Sequence, residues 1–191
     1  LDAGVVEPEE ALNLGLSGPT LRASGVNWDI RKAEPYSGYE LYEFDVPLGE
    51  PGDVYARYYI RMKEMHQSIR IIKQAMKNLP DGPFRSQNRK FVPPPRAELG
   101  QSMEAVIHHF KLWTEGFRPP AGEAYVAVEA PRGEMGFYIV SDGSGKPWRV
   151  HMRSPSFTNL QALETMVKGG LIADLVTAVA SLDPVLGEVD R

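Results

Sequence analysis

A chain of 191 residues, 42% apolar and 24% charged with a mean hydropathy of −0.30, has the composition of an ordinary globular protein and is neither disordered nor fibrous. A chain of this length buries roughly 70% of the surface its unfolded form exposes, enough for a real core. Twenty-one Lys and Arg against 25 Asp and Glu leave a net charge of −4, without the basic field that holds a polyanion by counterion release, so no nucleic-acid partner is expected. Cysteine is absent, which excludes disulfides, cysteine-ligated zinc or iron–sulfur clusters and thiolate catalysis within these residues.

The chain opens Leu1-Asp2-Ala3-Gly4, with no initiator Met, basic n-region or apolar h-region, and reads as a cut inside a longer chain. Residues 1–50 read as irregular or extended. A short helix is expected around Pro8–Leu14 among breakers such as Ser17-Gly18-Pro19, and the aromatic run Tyr39–Val46 suits an extended arm ending at Pro47. Residues 53–116 hold two long helices, expected to pack together. The first, about 53–79, is capped by Asp53 and carries Tyr55, Tyr58, Met62, Met65, Ile69, Ile72 and Met76 at three- and four-residue steps. Pro80-Asp81-Gly82-Pro83 stops it, and a basic, Pro-rich loop follows to Pro95. Ser102 caps the second helix, which bears Met103, Val106, Ile107, Phe110 and Trp113 and closes at Gly116.

From 124 to 153 the period changes to two. Ala124–Glu129, Gly136–Ser141 and Trp148–Arg153 form an antiparallel meander with turns at Pro131-Arg132-Gly133 and Asp142-Gly143-Ser144-Gly145. Residues 156–191 are C-terminal helices and a tail, divided at Gly169-Gly170 and ended by Asp183-Pro184. The fold class is α+β, dominated by helices, and the 191 residues read as a single unit. The longest apolar stretch, Gly169–Ala173, meets Asp174 at once, far short of the ~20 residues that span a bilayer, so membrane contact would come through partners.

Few residues suggest chemistry. Glu104 and His108 share a face of the second helix, with His109 beside them, but two ligands on one helix do not make a metal site, and helix-interface histidines are the simpler reading. No nucleophile elbow is present, and the Asp-Gly-Ser-Gly run lacks the following helix that a phosphate cradle needs. Two clusters are more particular. Pro131-Arg132-Gly133-Glu134-Met135-Gly136 puts a cation and an anion on a turn whose glycines admit another backbone, or is simply a salted turn. The terminus from Asp183 to Arg191 joins four charges to a cramped Pro/Gly backbone.

At these clusters the chain resembles the D-type subunit of bacterial respiratory NADH:quinone oxidoreductase (respiratory complex I), a relative of the nickel–iron hydrogenase large subunit. The resemblance runs through Gly18–Arg31, Glu64–Ser68, Ser102–Lys111, Glu129–Tyr138 and Gly187–Arg191, and covers about the C-terminal half of that family's chain. It implies a hydrogenase large-subunit-like fold. Where the hydrogenases carry Asp-Pro-Cys-x-x-Cys, this chain has Val185 and Glu188. Metal ligation of that kind needs thiolates, so no metal is expected, and the emptied pocket would form part of a quinone cavity.

By the same resemblance, Val185 would supply an apolar wall, Asp183 a carboxylate near the quinone head group, and Arg132, where many members carry Lys, a cation beside it. Glu188 and Arg191 would lie by the interface with the subunit holding the terminal iron–sulfur cluster. No catalytic residue is assigned. The clusters and FMN would reside on partner subunits, and none would be bound by this chain alone. The implied activity is electron transfer from NADH to quinone coupled to proton translocation, at the cytoplasmic side of the bacterial inner membrane. The fragment by itself would be inactive. A structural subunit of a hydrogenase-related membrane complex, without quinone chemistry, is the alternative.

Overall fold

The computed structural model describes residues 2–190. Where the sequence reads as one unit, internal contacts divide the chain into two compact ones. The larger comprises Leu1–Asn78, Val126–Phe137 and Met152–Arg191, and the smaller Leu79–Tyr125 and Tyr138–His151.

The larger unit opens with three short helices, α1 (Pro8–Asn13), α2 (Gly18–Ala23) and α3 (Ile30–Ala33). Proline stands in the first turn of α1 and α2, where its missing N–H is not needed. Asp29 caps α3 by accepting from the Arg31 N–H. The stretch expected to be irregular and weakly held is thus partly helical, and every residue of α2 is buried. Such helices are too short to form on propensity alone, so packing stabilises them and periodicity does not reveal them.

Helix α4 (Val54–Lys77) begins where Asp53 Oδ1 accepts from the Ala56 N–H at 2.7 Å. It packs on α2 and α8, and Ala56 and Ile60 close a small core with Ala23. The aromatic segment before it makes a 3₁₀ turn at Tyr39–Leu41, and Glu43–Asp45 then lie along α4, bonded to Gln67, Arg70 and Gln74.

After the sheet come α6 (Pro155–Leu160), α7 (Leu163–Val167), α8 (Ile172–Leu182) and α9 (Leu186–Asp190). The main core gathers Val6, Ala11, Leu16 and Leu21 from the N-terminal segment with Ala162, Met166, Ala178 and Leu182 from these helices. Both ends of the unit therefore share one interior. Its burial of apolar area is the dominant force holding α8, and with it Asp183, against α2 and α4.

In the smaller unit, α5 (Met103–Thr114) is capped by Ser102, packs on the 3₁₀ turn at Arg96–Gly100, and ends before Gly116 in the left-handed region. Strands β1 (Gly122–Ala130), β2 (Gly133–Ser141) and β3 (Arg149–Arg153) form one sheet in the order β1-β2-β3, the expected meander. Asp142 accepts from Ser144 N at 2.9 Å to shape the turn after β2. Among the described residues no helix is long and apolar enough to cross a membrane.

Candidate functional site

Charge in the larger unit is concentrated around Arg22 on α2, which is 1% exposed. Its Nε donates to Glu64 on α4, and its Nη1 donates to Glu129 on β1 at 2.8 Å and to the Trp28 carbonyl at 3.0 Å. Asp29 lies 3.8 Å from the same Nη1 and takes a two-point bond from Arg31, at 3.0 and 2.6 Å. Arg31 also stacks over Phe44, 4.9 Å from the ring centre. Five charges from four elements are thus paired where isolated charges would be costly.

The burial acts differently on each group. It opposes the Arg22 charge, yet Glu64 and Glu129 outweigh it and hold the guanidinium above its ordinary value. Burial opposes the Asp29 charge as well, but the Arg31 hydrogen bonds and charge overcome it and leave this carboxyl below the usual range. For Glu129 burial prevails over the pull of Arg22 and raises the carboxyl.

A cleft of about 410 Å³ borders this network, lined by Arg22, Arg31, Glu64 and Glu129 together with Arg61, Met65, Ser68, Ala130, Pro131 and Asp183. Asp183 is reached from the other end of the chain: it caps α8 in the left-handed conformation, φ 52° and ψ 53°, which Asp tolerates better than most residues. Arg132, on the β1–β2 turn, grips it twice, Nη2 to Oδ2 at 2.9 Å and Nε to the main-chain oxygen at 2.9 Å. The turn itself is held by Asn159, whose amide donates to the Arg132 carbonyl at 3.0 Å and accepts from Ser17 N at 3.3 Å.

Two arginines on α4 support this corner from behind. Arg57, fully buried, donates to the Gly4 and Gly52 carbonyls and to Ser181 Oγ at 2.7–2.9 Å. Burial, with the nearby Arg61 charge, lowers its pKa to about 10. Arg61 donates to the Arg57 carbonyl at 3.4 Å, while its Nε and Nη2 find no acceptor among the described residues. Burial lowers its pKa, with Asp183 and Glu64 offsetting part of the effect.

Of the residues singled out from sequence, Arg132 and Asp183 are therefore joined directly. Val185 is half-exposed, two residues beyond Asp183, and its N–H donates to Ser156 Oγ at 3.4 Å; it is not among the cleft-lining residues. Glu188 turns inward, one oxygen accepting from Ser154 Oγ and Ser156 N at 3.0 Å. Arg191 lies outside the described residues. On α5, His108 stands 3.8 Å from Glu104 and His109 lies against Trp113. Among the described residues no group of three metal-binding side chains forms. Arg22, Glu64 and Glu129 sit in the very motifs that carry the resemblance, but nothing local shows that they meet across 42 and 107 positions.

All 191 residues match the family described as respiratory-chain NADH dehydrogenase, 49 Kd subunit. The chain belongs to this family. It is 61% identical to a D-type subunit of the NADH-quinone oxidoreductase of Herpetosiphon aurantiacus, covering 98% of this chain and 45% of that protein. It is 60% identical to subunit 4 of the Thermus thermophilus NADH-quinone oxidoreductase (98% and 46%). Against the D-type NADH-quinone oxidoreductase subunit of Ehrlichia ruminantium the identity is 54% (100% and 49%). The chain spans about half the length of the family members it matches.

Proposed function

We propose that this chain forms one wall of the quinone-binding cavity in a respiratory NADH:quinone oxidoreductase. The observation that carries the reading is the two-point contact of Arg132 with Asp183 on the edge of the charged cleft, in a chain of the 49 Kd subunit family. A quinone head group offers two carbonyl acceptors and gathers negative charge and then protons on reduction. Donors and carboxylates fixed in advance stabilise such a change without reorganising. Asp183, positioned by Arg132, faces the head group as a proton-handling carboxylate, while Met65, Ala130 and Pro131 give apolar contact. Val185 extends that apolar surface.

In this reading NADH reduces FMN on a partner subunit. Electrons pass along partner-held iron–sulfur clusters, and the last cluster delivers them to quinone, with proton translocation coupled to the step. Glu188 lies toward the subunit bearing that cluster. The assembly sits at the cytoplasmic face of the bacterial inner membrane, and this chain adopts a hydrogenase large-subunit-like architecture without the metal.

The test is made in the assembled complex containing the full-length subunit, with Asp183→Asn and Val185→Met. Each is expected to raise the quinone KM or weaken a quinone-site inhibitor by about tenfold, or 1.4 kcal/mol, while transfer to an artificial acceptor upstream of quinone is unchanged. Unchanged quinone and inhibitor parameters in both variants refute the cavity reading, and loss of assembly alone points to a scaffold.

A further inference from the structure

Helix α4 turns Arg61, Glu64, Met65 and Ser68 to the charged cleft, a set spaced as one face of a helix. The remaining walls include Glu129, Ala130 and Pro131 at the end of β1 and Asp183 at the end of α8. Arg22, Arg31 and Arg61 balance Glu64, Glu129 and Asp183, so the lining carries no net charge to repel a neutral molecule.

The arginines differ in what their planar edges hold. Arg31 sets Nε and Nη2 on the two oxygens of Asp29, at 3.0 and 2.6 Å. Arg132 sets the same two nitrogens on the main-chain and carboxylate oxygens of Asp183, both at 2.9 Å. In each case the Nε–Nη2 edge, whose N–H bonds run parallel, grips a pair of oxygens. Arg61 has this edge buried as well, yet neither nitrogen has an acceptor among the described residues. The other buried side-chain atom in that condition there is Thr20 Oγ1, a neutral hydroxyl free to turn. A buried charged donor without an acceptor bears a larger desolvation cost than a neutral one, and Asp183 and Glu64 offset only part of it at Arg61. The edge therefore calls for a ligand oxygen.

We infer that the Nε–Nη2 edge of Arg61 holds the quinone oxygen that becomes anionic on reduction. The inference rests on the cavity reading above and adds a residue to it. A quinone carbonyl is a modest acceptor, whereas the semiquinone anion concentrates charge on its oxygens, and a charge-assisted bond is roughly twice as strong as a neutral one. Arg61 thus favours the reduced form over the oxidised one and acts on electron transfer more than on binding. One electron from the partner-held cluster gives the semiquinone anion; a second electron and two protons complete the quinol. The guanidinium keeps its protons throughout, so protonation is left to Asp183, which passes on protons taken from solvent. Met65, one turn beyond Arg61, and Pro131 supply apolar surface for the ring.

The experiment uses the assembled complex with the full-length subunit carrying Arg61→Gln or Arg61→Lys. Arg61→Gln is expected to lower kcat with quinone at least about tenfold while KM stays within about threefold. The EPR signal of the semiquinone anion weakens with it, and transfer to an acceptor upstream of quinone is unchanged. Arg61→Lys, which keeps the charge without the paired edge, recovers only part of the loss. Full recovery by lysine, or an unchanged kcat and semiquinone signal in Arg61→Gln, overturns the inference. Asp183→Asn and Val185→Met measured alongside separate it from the cavity reading. If those two change the quinone parameters and Arg61→Gln does not, this inference alone falls; if no variant responds, both fall. If neither Arg61 variant assembles, the unaltered complex decides, prepared with isotopically labelled arginine nitrogen. A changed nitrogen hyperfine pattern in the semiquinone signal then supports the inference, and an unchanged pattern overturns it.

Discussion

Gly18 and Gly133 meet backbone to backbone: a Cβ on Gly18 would lie 2.4 Å from the Gly133 Cα, and one on Gly133 would lie 2.4 Å from Ser17 Oγ. Both residues have positive φ, 66° and 140°. The contact sets the first turn of α2, which bears Arg22, directly against the turn that bears Arg132. Gly18→Ala is therefore expected to lower unfolding stability by at least about 2 kcal/mol, since the left-handed conformation alone costs an L-residue about 1–2 kcal/mol. Chemical denaturation checks this. A loss below about 0.5 kcal/mol would mean that the turn moves aside without cost.

Asp29 links the buried charges to acid stability. Its folded-state pKa is depressed below the ordinary 3.8. Its contribution is therefore present above that value and is lost as pH falls through the lower, folded value. Asp29→Asn is expected to cost about 1–3 kcal/mol near neutral pH, with the difference from the parent shrinking below about pH 4. Denaturation midpoints measured from pH 7 downward would show the two curves converging; parallel curves would remove Asp29 from the account.

Arg57 is the strongest case in which Lys is no substitute. Three acceptors, on the N-terminal segment, the loop before α4 and the end of α8, surround one planar guanidinium, and a single ammonium cannot match that fork. Arg57→Lys is expected to cost about 3 kcal/mol or more at neutral pH. Burial depresses the pKa of the folded-state cation, so the unfolded state binds more protons on the alkaline side and stability rises with pH there. The deficit should therefore narrow as pH rises toward the ordinary lysine value of about 10. A pH-independent deficit would show that the lysine reaches solvent.

The parts of the fold that were legible are those whose cause is local. Asp53 and Ser102 cap helices that begin one residue later, and the change of period after residue 120 announces the three strands. Helices α2 and α3 escaped notice because they have six and four residues, too few for a repeat to show. Of the site, the roles of Arg132 and Asp183 follow from the family resemblance, while nothing in the local pattern sets Arg57 or Arg61 apart from the other polar positions of α4. A side chain's burial is not written in its own neighbourhood when the group that buries it is far along the chain, as Ser181 is from Arg57.

By itself the sequence determined the α+β class, the long helices with their caps, the absence of thiolate chemistry and, through motifs spread over most of its length, the family. Hydrogen bonds within a few residues and the counting of residue types are sufficient for the structural part of that list. Only the tertiary structure decided that Arg22 joins Glu64 and Glu129 and that Arg132 holds Asp183. Those outcomes depend on which segments the shared core brings within about 4 Å, the range over which charges in a low-dielectric interior govern one another.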